Sequence, residues 1–435
     1  MRHRARRNLG AVAAAGALAA ALLAPAFVGA TPAITTTSMG APAATGDLVR
    51  SKEYWLDSYG IRSAWNVTKG AGVTIAIVDT GVDSSVAELR GAVAAGADFS
   101  GSGTGGAPEG GSGDEHGTMV ASLAAGRGAG ANAGVLGVAP AASLISASVG
   151  FGTGDEHSDQ EIADAVTWSV DHGAQVINLS LTRNTLDWPE SWDRAFLYAE
   201  DHNVVIVAAA GNRGSGTTEV GAPATMPGVL GVGGVTQNGT SSTDASAQGI
   251  TLGISAPSEN LVGVIPGGGY VLWDGTSGAA PIVSGIVALV RAAHPQLSAA
   301  DVINRIVATA HDKGAPGPDS LYGYGLVDAA AAVRADVPSV TANPLGDLHE
   351  WVRINRRAVA TPSPAASGGT IVAPAPVAAP QLQSPVGTLL PSPVLLEVVG
   401  LPVLVVLLML FVLVGLIVGA VLQFRGLRER DRRTR

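Results

Sequence analysis

The sequence contains no cysteine. Cysteine nucleophiles, disulfide frameworks, zinc fingers and iron–sulfur clusters are excluded together. Aromatic residues are scarce at 4%, and charged residues make up only 14%. The scarcity of charge does not signal disorder, because 47% of the 435 residues are hydrophobic and the apolar runs are well spaced. With few aromatics and 58 glycines, tight turns and small-residue packing must carry much of the fold. Basic charge is short in the body: residues 31–424 hold 16 basic and 33 acidic residues. Such an acidic body is not built for nucleic acid.

The two ends differ from the body. Arg2, Arg4, Arg6 and Arg7 precede an Ala/Leu-rich stretch that closes on Val28-Gly29-Ala30. A basic start, an apolar centre and a small-residue cleavage site describe a secretory signal over 1–30. General secretory export is the first reading. Arg6-Arg7 leaves twin-arginine export as a second, and a retained anchor is the alternative to cleavage. Residues 398–422 run without a charge, and Arg425, Arg428, Arg430, Arg432, Arg433 and Arg435 follow. That length exceeds the ~20 residues needed to cross a bilayer. Basic flanks stay on the cytoplasmic side. The expected topology is a single pass through the cell membrane, with the body extracytoplasmic and a basic tail, 423–435, in the cytoplasm.

Between these ends lie a short extension (31–52), a body (53–335) and a stalk (336–397). Eight prolines and no charge fall within 358–396. A segment of that kind is extended and semi-rigid, and at ~3.1 Å per residue could reach roughly 100 Å. There is no internal repeat. In the body, β-branched apolar runs occur at 73–78, 143–149, 175–181, 203–210 and 229–235. Helical segments at 117–126, 159–172 and 189–201 separate them, and helices at 277–293 and 298–310 follow. Continuous apolar strands alternating with helices predict an α/β fold, a mostly parallel sheet with helices on both faces. In such sheets active groups gather at the carboxyl ends of the strands.

Three segments carry candidate chemistry. Asp79, in IVDTGVD, stands where a buried strand ends, either as a carboxylate fixed by backbone donors or as a plain turn cap. His116, in DEHGTMVAS, opens a helix after a glycine-rich run; a single His of this kind is often structural. Ser277, in DGTSGAAP, opens a long apolar helix, at the positive end of the helix dipole. Taken alone it reads equally as an N-cap with Pro281 in the first turn. Together the three suit one chemistry. A serine hydroxyl is a poor nucleophile unless a His takes its proton and an acid orients the imidazole. Asn212, after the strand-like VAAAG, could donate to an oxyanion as it forms. The order Asp, His, Ser on a parallel α/β frame is the subtilisin order.

With these four segments in order, residues 53–335 resemble the subtilisin-like serine proteases (subtilases, the S8 peptidases). The resemblance implies a subtilisin-like fold, followed here by a C-terminal transmembrane helix. It also implies Asp79 as orienting acid, His116 as general base and Ser277 as nucleophile, with Asn212 and the Ser277 N–H as the oxyanion hole. Gly150, Gly152 and Gly154 on one side, and Ser180, Leu181 and Thr182 on the other, would pair with an extended polypeptide substrate. Ala209, Ala210 and Gly211 would form a wall of the primary specificity pocket. Many relatives have Gly where Thr182 stands.

Many subtilases also carry a folded inhibitory propeptide. Residues 31–52 are too few for one and suggest an extension laid over the body. The layout of signal, body, Pro-rich stalk, single span and basic tail, with HGTMVAS in the His segment, resembles the mycosins. These are membrane-anchored subtilases associated with type VII secretion in actinobacteria. Mycosins often carry cysteines, which this chain lacks. The resemblance implies a serine endopeptidase that processes exported proteins, with a type VII secretion complex as partner. The alternative is a non-catalytic subtilase-like scaffold bracing such a complex. A sedolisin-type acid protease, a second alternative, would place a Glu where His116 stands. No cofactor is required and no metal ligands are assigned. Structural calcium occurs in relatives, but no oxygen-rich loop here names its ligands.

Overall fold

Successive residues of the central strands face opposite helical layers. This is what continuous apolar runs should do when a sheet is covered on both sides. In β1 (Thr74–Asp79), Ile75 and Ile77 join one core cluster while Ala76 and Val78 join the other. The computed structural model describes residues 47–110, 113–150 and 156–356. The signal (1–30), most of the extension, the uncharged part of the stalk, the span (398–422) and the tail lie outside these residues.

The sheet has seven parallel strands in the order β2-β3-β1-β4-β5-β6-β7. They are β1, β2 (Val93–Asp98), β3 (Ser143–Ser148), β4 (Val176–Leu179), β5 (Val205–Ala209), β6 (Leu230–Val235) and β7 (Ile254–Pro257). A two-stranded antiparallel hairpin, β8 (Leu261–Val264) and β9 (Tyr270–Trp273), stands apart from it. Three short helices open the described chain: α1 (Leu48–Lys52), α2 (Trp55–Ser58) and α3 (Ile61–Ala64). The longer helices are α4 (His116–Ala125), α5 (Glu156–Asp171), α6 (Glu190–Asp201), α7 (Thr276–Ala293) and α8 (Ala299–Ala308). Two more, α9 (Ala329–Arg334) and α10 (Leu348–Asn355), close the body.

Helices α4 and α7 pack in one cluster, and α5 and α6 in the other. Each large apolar side chain sealed in these layers contributes about 1.5–3 kcal/mol. Helix α7 is apolar all round, as expected for a helix enclosed by its own protein. It is also long and apolar enough to cross a membrane, yet it is 83% buried inside the body. The expected strands and helices appear within a few residues of their predicted limits. Several elements were not predicted: β2, β7, the hairpin, α1–α3, α9 and α10.

The body's limits differ from 53–335. Residues 47–52, placed in the extension, include α1, with Val49 buried and Asp47 accepting from the Gly134 N–H. Residues 336–356, placed in the stalk, fold back on the body through α10. Leu348 is buried, and Trp351 packs on Trp188 with ring centres 4.3 Å apart. Arg356 donates to Asp193 at 2.8 Å and to the Trp188 carbonyl at 2.8 Å. An apolar and aromatic helix face buried in this way has no reason to stay extended.

Candidate active site

Asp79 is the last residue of β1 and is fully buried. Its Oδ1 accepts from the Thr80 N–H at 2.8 Å and lies 2.8 Å from His116 Nδ1. His116 is the first residue of α4, and its side chain is 24% exposed. Burial alone would lower its pKa. The Asp79 carboxylate, by charge and hydrogen bond, and the Glu115 charge outweigh this and raise it above the ordinary value. The Trp273 ring meets the imidazole edge-on, with centres 5.7 Å apart.

The start of α4 is fixed from β1. Its own N-cap residue, Glu115, makes no side-chain cap. Thr80 serves instead: its Oγ1 accepts from the Gly117 N–H at 3.0 Å and donates to the Asp114 carbonyl at 3.2 Å. Gly117 allows this approach, since a Cβ there would lie 2.3 Å from the Gly81 carbonyl oxygen. Thr80 was not recognised from sequence. A hydroxyl directly after the strand-end Asp was the available signal.

Ser277 is the second residue of α7 and half-buried. Its carbonyl would normally accept from the N–H four residues on, but that residue is Pro281, which has none. Ser180 supplies the donor: its Oγ reaches the Ser277 carbonyl at 2.8 Å. In return, the Ser277 Oγ donates to the Ser180 carbonyl at 3.1 Å. Asn178 Nδ2 donates to Ser180 Oγ at 2.9 Å, and Ser284 Oγ donates to Asn178 Oδ1 at 2.8 Å. This buried polar chain ties the end of β4 to the first turns of α7. Asn178 and Ser284 had no assigned role.

Asn212 Oδ1 accepts from the Thr276 N–H at 2.8 Å and from Thr276 Oγ1 at 3.0 Å. Thr276 Oγ1 in turn accepts from the Gly211 N–H at 3.0 Å. With its oxygen thus occupied, the Asn212 amide can present only Nδ2. That atom would lie 3.2 Å from a Cβ placed on Gly275, next to the Ser277 turn.

The described parts of the expected cleft segments follow β3, β4 and β5. Gly150 follows β3, and its N–H donates to Glu161 Oε2 at 2.8 Å. Gly152 and Gly154 lie outside the described residues. Ser180 and Leu181 are buried after β4, and Thr182 Oγ1 donates to the Arg183 carbonyl at 3.0 Å. Ala209 and Ala210 place their side chains in the two core clusters, so only their backbone can face a cleft. Gly211 adopts φ +103°, and a Cβ there would meet Thr217 Cγ2 at 2.4 Å. Among the described residues no group of three or more His, Asp or Glu side chains could hold a metal ion.

The candidate residues thus come from three strand ends, with Asp79, Ser180 and Asn212, and two helix starts, with His116 and Ser277. Residues 70–325 match the subtilase family. Alkaline elastase YaB from Bacillus sp. (strain YaB) is 36% identical over 265 residues, which is 61% of this chain and 65% of that protein. The match thus spans slightly less than two thirds of that relative's length. The crystal structure of MycP1 from Mycobacterium smegmatis is 32% identical with a TM-score of 0.59, covering 70% of this chain and 89% of that one. MycP3 protease from the type VII (ESX-3) secretion system is 32% identical with a TM-score of 0.57, covering 69% and 92%. This chain belongs to the subtilase family.

Proposed function

We propose that this chain is a serine endopeptidase held at the outer face of a cell membrane, acting on polypeptides exported by a type VII secretion system. The observation that carries the reading is His116, a partly exposed imidazole paired at 2.8 Å with the buried carboxylate of Asp79. Ser277 stands at the start of α7 on the same sheet edge. In this reading Asp79 orients the ring and stabilises its protonated form, while the far nitrogen of His116 takes the Ser277 proton as Oγ attacks a peptide carbonyl. The Ser277 Oγ turns from the Ser180 carbonyl to His116 when substrate enters.

Asn212 Nδ2 and the Ser277 N–H receive the oxyanion, and the developing charge sits at the positive end of α7. His116 then protonates the leaving amine, and water releases the acyl group. This chemistry calls on no metal or cofactor. An extended substrate lies between the Gly150–Gly154 segment and Ser180-Leu181-Thr182. Likeness to MycP1 and MycP3 supports the link to type VII secretion, and the uncharged run 398–422 before six arginines supports the anchor.

The test is hydrolysis of an unstructured protein such as casein by the full-length chain in detergent. We expect cleavage by the wild type and none by Ser277→Ala. Equal cleavage by both, or none by either, contradicts the reading.

A further inference from the structure

A cavity of about 310 Å³ lies at the amino ends of β5 and β6, at the opposite sheet edge from Ser277. That volume is within the range of roughly 300–1,000 Å³ for small-molecule sites. Phe196, Ile206 and Ile303 give it apolar walls, and residues 341–348 contribute another side. This last segment lies beyond the stretch that matches the subtilase family.

Asn203, Ser298 and Asn343 in the lining are already engaged. Asn203 Oδ1 accepts from the Ala299 N–H at 2.5 Å, and Asn343 Nδ2 donates to the Gly228 carbonyl at 2.9 Å. The start of α8 is closed by the Ser298–Asp301 capping box, so its positive end already faces acceptors. Glu200 is different. It is half-buried in the lining, and among the described residues no donor reaches its carboxylate. Burial pushes its pKa up; the nearby His349 opposes this, and the charges of Asp347 and Asp201 add smaller upward pushes, leaving it raised. No Lys or Arg lines the cavity, whose only charged residues are Glu200 and Asp347.

We propose that this cavity binds an alkylammonium group, a lysine side chain or a free primary amine, with Glu200 as its counter-charge. An ammonium carries three donors and makes charge-assisted bonds to a carboxylate that otherwise has none. Its aliphatic stem fits the apolar walls. Binding would tie the 341–348 segment, and with it the start of α10, to α6.

The experiment is calorimetric titration of full-length Ser277→Ala protein in detergent micelles. The probes are n-pentylammonium and Nα-acetyl-lysine N-methylamide, with 1-pentanol and Nα-acetyl-norleucine N-methylamide as neutral counterparts. At least one cation should bind about tenfold tighter than its counterpart, and Glu200→Gln should erase that preference. A preference confined to the lysine derivative identifies a polypeptide-borne group, and one confined to pentylammonium identifies a free amine. Equal binding of cation and counterpart, or a preference that survives Glu200→Gln, overturns the proposal. Without ligand, Glu200→Gln should melt at the same or a higher temperature, since the carboxylate has no bond to lose. A markedly lower melting temperature would make Glu200 structural and overturn it as well.

Discussion

Ser180 and Ser277 exchange two hydrogen bonds across 97 residues of sequence, each hydroxyl donating to the other's carbonyl. One of the two bonds repairs the gap that Pro281 leaves in the first turn of α7. Removing the Ser180 hydroxyl strands the Ser277 carbonyl, and an unsatisfied buried acceptor costs about 1–3 kcal/mol. Ser180→Ala should therefore lower the melting temperature and reduce kcat. Adding Pro281→Ala restores an N–H four residues after Ser277 and should recover part of the lost stability. Thermal unfolding of the single and double variants decides this. No recovery would mean that the Ser180 bond serves some other need.

The Asp79–His116 pair sets a pH limit. In the proposed mechanism His116 must be neutral to accept a proton, so activity should fall as pH drops through its pKa. Burial lowers that pKa, and the Asp79 carboxylate and Glu115 raise it further than burial lowers it. The acid limb of kcat/KM should thus have its midpoint above 6.5, the ordinary histidine value. Asp79→Asn removes the main raising charge, moves the midpoint to lower pH and cuts the rate ~10⁴-fold. A midpoint at or below 6.5 in the wild type would contradict this.

Asn212 has two separable jobs. Its oxygen holds Thr276, and in the proposed mechanism its nitrogen receives the oxyanion. Asn212→Asp keeps the acceptor and loses the donor. The variant should melt close to wild type yet lose about 10²–10³ in kcat with little change in KM. A small loss of kcat would remove Asn212 from the oxyanion hole.

Gly117 marks where α4 passes β1. A methyl group there would lie 2.3 Å from the Gly81 oxygen. Gly117→Ala should destabilise by about 1–3 kcal/mol and displace His116 from Asp79. The imidazole N–H proton resonance of the pair should then weaken or shift. An unchanged melting temperature and resonance would show that the approach is not tight.

What the amino-acid sequence revealed follows from burial. Strands β1 and β3–β6 are covered on both faces, so VTIAIV or NVVIVAAA stand out as apolar runs. Edge strand β2, Val93-Ala-Ala-Gly-Ala-Asp98, is half-exposed and small, and has no such pattern. The hairpin strands are four residues each, too short for periodicity. Helix α10 was obscured by treating 336–397 as one Pro-rich piece, although Asp347, His349, Glu350, Arg353 and Arg356 set its first part apart from the uncharged run after 357. Within the candidate site, Asp79, His116, Asn212 and Ser277 could be picked out because each sits in a short motif at an element's end. Thr80, Asn178 and Ser284 were not: Thr80 meets Asp114 and Gly117, and Asn178 meets Ser284, across 34 to 106 residues that only folding brings together.

The central claim is that Ser277 is the nucleophile of a working acyl-transfer site. Its most direct test is reaction of the full-length protein with a fluorophosphonate, followed by peptide mass mapping of the adduct. The account predicts a single adduct on Ser277, absent from His116→Ala. No adduct on natively folded protein, or one on another serine, would contradict it.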